Sequence, residues 1–320
     1  MRLTYNPGNN YEPTWAEDGR GIIYHYSYQS PDIHADDRCV GLLPPGGGTR
    51  LWQMCDERRE HSDSADSFAG VAIGTDGRLL YLELSTRRGP GGLSGVNQPP
   101  QTRTLWLADT AFPFQRRKLL DLSFGLNLNG IFFNALRDVR WVGSTSFIAL
   151  AAKQGTDINP WDSTLTGIAV VRGEITTAGA TLSIVPGTEG ATNYSLAENG
   201  VSLIITRSGL ILERVPIAGS AAVPVATIPT LSVNDPSHPT SDIGNLTCSS
   251  TTCLATAGGV WQVDLTSGHA TALATRITSA RLSPASGDVA GTVVTSNVRI
   301  QVGGPVQPLS SIVLFHGVLP

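Results

Sequence analysis

Charge is scarce in this sequence: only 15% of its 320 residues are Asp, Glu, Lys or Arg, and the formal net charge is −4. There is no long basic run to supply the field that holds a phosphate backbone, which argues against nucleic acid as a partner. Long hydrophobic runs are missing as well. A membrane-spanning helix needs roughly 18 to 20 consecutive apolar residues, and no stretch approaches that, so no transmembrane span is expected within the chain. The opening Met1-Arg2-Leu3-Thr4-Tyr5-Asn6-Pro7 lacks the apolar core of a signal peptide, and an export signal is expected to lie outside this numbering. Linear catalytic motifs are absent too: there is no G-x-S-x-G elbow and no H-E-x-x-H pair, and the Gly-rich run from Arg88 to Gly95 opens no helix that would cradle a phosphate. On these grounds the chain is expected not to be an enzyme. What is abundant is turn and strand material, with 35 Gly and 20 Pro set among many Thr, Ser and Val. Such a composition favours frequent turns and β-branched strands over helix, so the expected class is all-β.

Self-similarity organises the chain. A unit of apolar strand, tight Gly turn, second apolar strand, variable loop and outer hairpin recurs about six times. Its clearest copy runs from Pro13 and Trp15 through Asp18-Gly19 to Ile22 and Tyr24, where Asp-Gly supplies the left-handed turn between strands. Further copies hold Asp76-Gly77 before Leu79-Leu80-Tyr81, Val139-Arg140-Trp141 before Phe147, Asn199-Gly200 before Leu203, Asn245-Leu246-Thr247-Cys248 before Cys253, and Ala280-Arg281-Leu282 before Val289. The stretch from Pro13 to Tyr24 resembles the repeat of the TolB-type propeller family, roughly Pro-x-Trp-Ser-Pro-Asp-Gly-x-x-Ile-x-Phe, and Leu282-Ser283-Pro284 with Gly287 keeps part of it. That resemblance implies a six-bladed β-propeller of four-stranded antiparallel blades, with approximate limits 11–55, 66–120, 137–187, 193–228, 243–275 and 277–320 plus 1–6, so that 1–320 forms one domain. Arg2 to Tyr5 looks like the outer strand that ends such a unit, and its pairing with the last blade would close the ring and hide the sheet edges. The separate α/β domain of the TolB family is absent here, and that family's partner does not carry across.

The four cysteines fall at the shoulders of two hairpins. Apolar runs flank the Pro/Gly turn between Cys39 and Cys55, and a four-residue polar loop separates Cys248 from Cys253, so each pair should face across neighbouring strands. Two local disulfides are expected, with four buried free thiols as the alternative. Metal binding would call for C-x-x-C spacing or nearby histidines. Disulfides imply an oxidising compartment, and with the bacterial family resemblance this points to the periplasm or the extracellular side.

Loop length then maps function. First-to-second turns are short, whereas Gln29 to Arg38, Asp56 to Asp66, Thr86 to Thr102, Asp121 to Arg137 and Gln154 to Thr164 are long and should share the opposite face. One of them carries Phe124, Leu126, Leu128, Ile131, Phe132 and Phe133, an unusually apolar connection. It folds inward, as a lid or as the first strand of the third blade, or it forms a docking patch for a protein or membrane surface, with Trp161 on the same rim. Asp32, His34, Asp36 and Asp37 supply oxygen and imidazole ligands for calcium or a transition metal, but in no established metal spacing, and no cofactor is expected. The leading expectation is a non-enzymatic protein-binding or scaffold subunit of the bacterial periplasm or cell surface, its partner another protein such as a membrane-embedded complex. The alternatives are a propeller lyase or hydrolase with its site at the channel mouth, and a carbohydrate-binding module that stacks sugars on Trp161.

Overall fold

The structure is a computed structural model that describes residues 1–4, 9–29, 36–55, 64–87, 102–154, 165–229, 242–274, 277–283, 287–299 and 306–316. Among these, regular structure is almost all strand, the exception being a single 3-10 turn at Glu198–Gly200. Five four-stranded antiparallel sheets follow one another along the chain, with strands between 9 and 55 (blade 1), 64 and 121 (blade 2), 135 and 184 (blade 3), 193 and 227 (blade 4), and 245 and 274 (blade 5). Blade 6 has three strands of its own between 277 and 315. The N-terminus supplies its fourth: Arg2 bridges antiparallel to Val313, the Leu3 N–H donates to the Ile312 carbonyl at 2.8 Å, and the Leu314 N–H donates to the Met1 carbonyl at 2.7 Å. The fold is the six-bladed propeller expected from the repeat, closed as expected through the N-terminal strand.

Burial explains why the strands read as they do. From Phe147 to Ala152, on the second strand of blade 3, every side chain is fully buried. Phe147, Ala149 and Ala151 pack towards blade 2, while Ile148 and Leu150 pack towards blade 4. A strand covered on both faces needs a continuous apolar run rather than an alternating one, and the sequence supplies it. Each consecutive pair of blades shares such a core. The one between blades 6 and 1 contains Leu3, Trp15, Tyr24, Ile312 and Leu314, so the ring closes through packing as well as hydrogen bonds. Fully burying a Leu, Ile or Phe contributes about 1.5–3 kcal/mol, which makes these interfaces the main source of cohesion.

Two local features came out as read. Gly19 and Gly77 take φ of 70° and 82°, and the carboxylates of Asp18 and Asp76 accept the N–H groups of Arg20 and Arg78 two residues on. These acids are turn formers. Cys39 lies opposite Cys55 and Cys248 opposite Cys253 in register, with Cα atoms 4.1 and 4.0 Å apart, and both pairs form disulfides. Such spacing belongs to the close, non-hydrogen-bonded positions of an antiparallel ladder.

Because each blade is an antiparallel meander, its first-to-second and third-to-fourth turns leave from one end. The ends that bound the second-to-third and blade-to-blade connections lie at the other. The first strands of all six blades line the central channel, which places two regions for function: the long-connection rim and the channel itself.

Candidate functional site: rim and channel

On the rim, the apolar connection after blade 2 divides between surface and core. Leu126–Leu128 and Ile131–Phe133 form a small antiparallel hairpin. Its turn is Asn129-Gly130, with φ of 53° and 85°, a two-residue loop of left-handed residues whose Gly130 N–H donates to Asn127 Oδ1 at 3.0 Å. Leu122 and Phe133 are fully buried among blade 2 and blade 3 side chains, and Leu126 and Leu128 pack half-buried against that cluster. Ile131 is half-buried as well. Phe124 is 91% exposed and Phe132 44% exposed. The Phe132 ring lies where a β-carbon at Gly125 would be, which ties the exposed ring to the hairpin backbone. Expecting all six apolar residues to face a partner therefore needs correction. Alternation along the second hairpin strand turns Phe133 into the core just as it turns Phe132 outward. Trp161, Asp32 and His34 lie outside the described residues. Asp36 and Asp37 pair through their backbones with Gln29 and Tyr28. Among the described residues, no group of three or more His, Cys, Asp or Glu is placed to hold a metal ion.

In the channel, the repeat itself positions the chemistry. In each first strand, the residues flanking the middle of the Pro-x-Trp unit pack against the preceding blade, as Val139 and Trp141, Tyr194, Leu246, and Ala280 and Leu282 do. By alternation the middle residue looks towards the channel and the following blade. At that level stand Thr14, Ala72, Arg140, Ser195, Thr247 and Arg281. Ser195 Oγ accepts the Cys248 N–H at 2.8 Å and Thr247 Oγ1 accepts the Leu282 N–H at 3.3 Å, so two of these positions join one blade to the next.

Asp138 meets this ring from blade 3. It sits in a β-bulge, where Asp138 and Val139 together oppose the single residue Ala149, and its φ is 47°. Blade 2 has the same bulge with Gly70 at the equivalent place, φ 56°. Blade 3 thus carries a side chain where glycine is the unstrained choice, a conformation that persists only when its surroundings hold it. Those surroundings are arginines. Arg281 Nη2 donates to Asp138 Oδ1 at 2.9 Å, and Arg137 Nη2 lies 3.6 Å from Oδ2. Blades 3 and 6 stand opposite each other in a ring of six, so the Arg281–Asp138 pair spans the channel. Arg281 also binds the Asn245 amide oxygen and the Leu246 carbonyl. Arg137 reaches Asn193 Oδ1 at 3.3 Å, and Asn193 Nδ2 donates to the Ile243 carbonyl at 2.7 Å. Asn193 and Asn245 are thus both tied into hydrogen bonds between blades.

The electrostatics follow from burial and these partners. Burial alone would raise the Asp138 carboxyl, but Arg281, Arg137 and Arg140 together outweigh it and hold the group below the ordinary carboxylate range. Glu17, in the first turn of blade 1, behaves in the opposite sense: burial pushes its carboxyl up, against the pull of Arg140 and a hydrogen bond from the Trp141 backbone. Burial also raises the Tyr194 hydroxyl, which donates within reach of the Asp138 and Ile148 carbonyls. The expectation from sequence placed no functional residue here. A signal existed all the same, since an Arg set between two apolar residues of a first strand, as in Val139-Arg140-Trp141 and Ala280-Arg281-Leu282, points away from the interblade core.

No protein-family model matches the chain, and no curated protein matches it in sequence. Solved structures do. A gluconolactonase from Xanthomonas campestris is similar over 98% of this chain and 88% of its own, with 14% identity and a TM-score of 0.54. The structure of U3-55K is similar over 98% of this chain and 97% of its own, with 10% identity and a TM-score of 0.50. TolB from Acinetobacter baumannii aligns over 84% of this chain and 55% of its own, with 11% identity and a TM-score of 0.42. At these identities the likeness is one of fold, and the TolB-type repeat remains a resemblance. One expectation is overturned. The absence of linear catalytic motifs does not exclude catalysis, because a propeller matching almost this whole chain is a gluconolactonase and this fold therefore does not make a non-enzyme.

Proposed function

We propose that the protein is a partner-binding propeller of an oxidising compartment, the bacterial periplasm or the cell surface, and that it docks another protein through the long-connection rim. The observation that carries this reading is the pairing of exposed Phe124 and Phe132 with buried Leu122 and Phe133 on one short apolar connection. Aromatic rings exposed on an element anchored from beneath offer contact area at little entropic cost, which is how binding hot spots are built. Two disulfides support the oxidising setting. No helix among the described residues is long and apolar enough to cross a membrane. Co-purification from the native source with Phe124→Asp plus Phe132→Asp is the test. Partner recovery should fall at least tenfold while the thermal melt stays unchanged, and undiminished recovery by a folded double variant removes the rim from the account.

A second reading is favoured by the channel: a hydrolase acting on a small ester or lactone, with the cross-channel Asp138 carboxylate and its arginines at the reacting centre. The gluconolactonase of similar fold supports testing lactones first. Turnover followed by proton release should drop at least a hundredfold in Asp138→Asn; the absence of any turnover above that variant ends this reading.

A further inference from the structure

We propose that Arg140 anchors an anion site at the short-turn end of the channel, and that its ligand is a small molecule bearing one carboxylate. Three arginines approach the channel cluster, but they are not equivalent. Arg281 is engaged by Asp138, Asn245 and Leu246, and Arg137 by Asp138 and Asn193. The Arg140 guanidinium has no hydrogen-bond or ion-pair partner among the described residues, although Glu17, Asp138 and the Tyr194 hydroxyl all lie within its electrostatic reach. It is half-buried, penultimate in Ala135–Trp141 and next to the turn that joins the first two strands of blade 3. A guanidinium carries five donors in a fixed fork and keeps its charge at any physiological pH, so a half-buried one without protein acceptors is a ready receptor for an oxyanion.

The surroundings select the class of anion. Four of the six positions at this level carry Thr14, Ala72, Ser195 and Thr247, all small, so no long side chain from these positions competes for the Arg140 fork. Arg137, Arg140 and Arg281 against Glu17 and Asp138 leave an excess of about one positive charge, which a monoanion neutralises. A dianionic phosphate would over-compensate and meet repulsion from both carboxylates. The planar fork also matches a carboxylate bidentately. Binding alone is claimed, so the site stands or falls independently of rim docking and of any turnover.

The experiment is isothermal titration of the full chain with sodium acetate and sodium gluconate, at ionic strength matched with sodium chloride, alongside sodium phosphate. Saturable binding of at least one carboxylate is expected, weakened at least tenfold in Arg140→Gln and only about threefold in Arg140→Lys, which keeps the charge without the fork. Arg172→Gln, which removes an exposed arginine paired with Glu174 on the outer part of blade 3, should leave the affinity unchanged. Glu17→Gln should tighten carboxylate binding about threefold by removing a competing charge while keeping an acceptor for the Trp141 N–H. That variant carries the test should Arg140→Gln fail to fold. The proposal is overturned by the absence of saturable carboxylate binding to the folded protein, by equal affinity in folded Arg140→Gln, by an unchanged affinity in Glu17→Gln, or by tighter binding of phosphate than of either carboxylate.

Discussion

The rim hairpin and the channel cluster invert each other. In the rim connection, residues that a core should contain are partly in solvent: Phe124 and Phe132 are exposed while Phe133, next in sequence to Phe132, is fully enclosed. In the channel, residues that solvent should contain are partly enclosed: Arg281, Asp138 and Arg137 keep only 14%, 25% and 27% side-chain exposure. The contrast teaches where misplaced chemistry is held in a propeller. An exposed apolar group rests on a local anchor one or two residues away, whereas an enclosed charge rests on partners from other blades.

Substitutions can break that contrast, and the largest effect is expected in the hairpin's anchor. Phe133→Ala should destabilise the protein by about 3–5 kcal/mol through lost transfer energy and the cavity left behind, whereas Phe124→Ala should stay within about 0.5 kcal/mol. Urea denaturation of the two variants measures this, and equal effects would mean that the hairpin is not anchored as described. In the channel, Asp138→Asn leaves Arg281 and Arg137 without their carboxylate and is expected to cost about 2 kcal/mol near neutral pH, between the values of exposed and buried pairs. Its pH dependence has a definite sign. The folded Asp138 carboxyl titrates below its ordinary value of 3.8, so its stabilisation is complete above that value and is lost as pH falls through the folded pKa. The gap between wild type and Asp138→Asn should therefore close on acidification, and a gap that persists in strong acid would refute the ion-pair account. The smallest effect is expected at Glu17. Its folded pKa lies above the ordinary 4.5, so its ionisation opposes folding as pH rises through the folded value. Glu17→Gln should accordingly be slightly more stable than wild type at neutral pH, with the advantage vanishing below about pH 4, as paired thermal melts would read out.

Much of the fold was legible because its rules are local. Asp18-Gly19 and Asp76-Gly77 declare their turns, and Phe147 to Ala152 declares a strand covered on both faces. The Cys39–Cys55 and Cys248–Cys253 pairings follow from hairpin symmetry. The rim was half legible. Its apolar excess is visible, and Asn129-Gly130 between Leu128 and Ile131 is a hairpin signal that assigns alternate residues to core and solvent, but which of the two faces meets the core is decided by the blades beneath. The channel was least legible. Arg140 and Arg281 occupy the variable position of the repeat, and Asp138 is set apart only by the bulge that gives it the place of Gly70.

By itself, then, the sequence determined six consecutive antiparallel blades, the closing strand and the cysteine pairing, because turn geometry, strand burial and hairpin register each act over a few residues. The tertiary structure alone decided that Asp138 meets Arg281, 143 residues away, that Glu17 turns towards Arg140, and that Phe132 and Phe133 part company. Closing the ring brings opposite blades across one axis, and no local pattern of residues encodes which side chains then face each other.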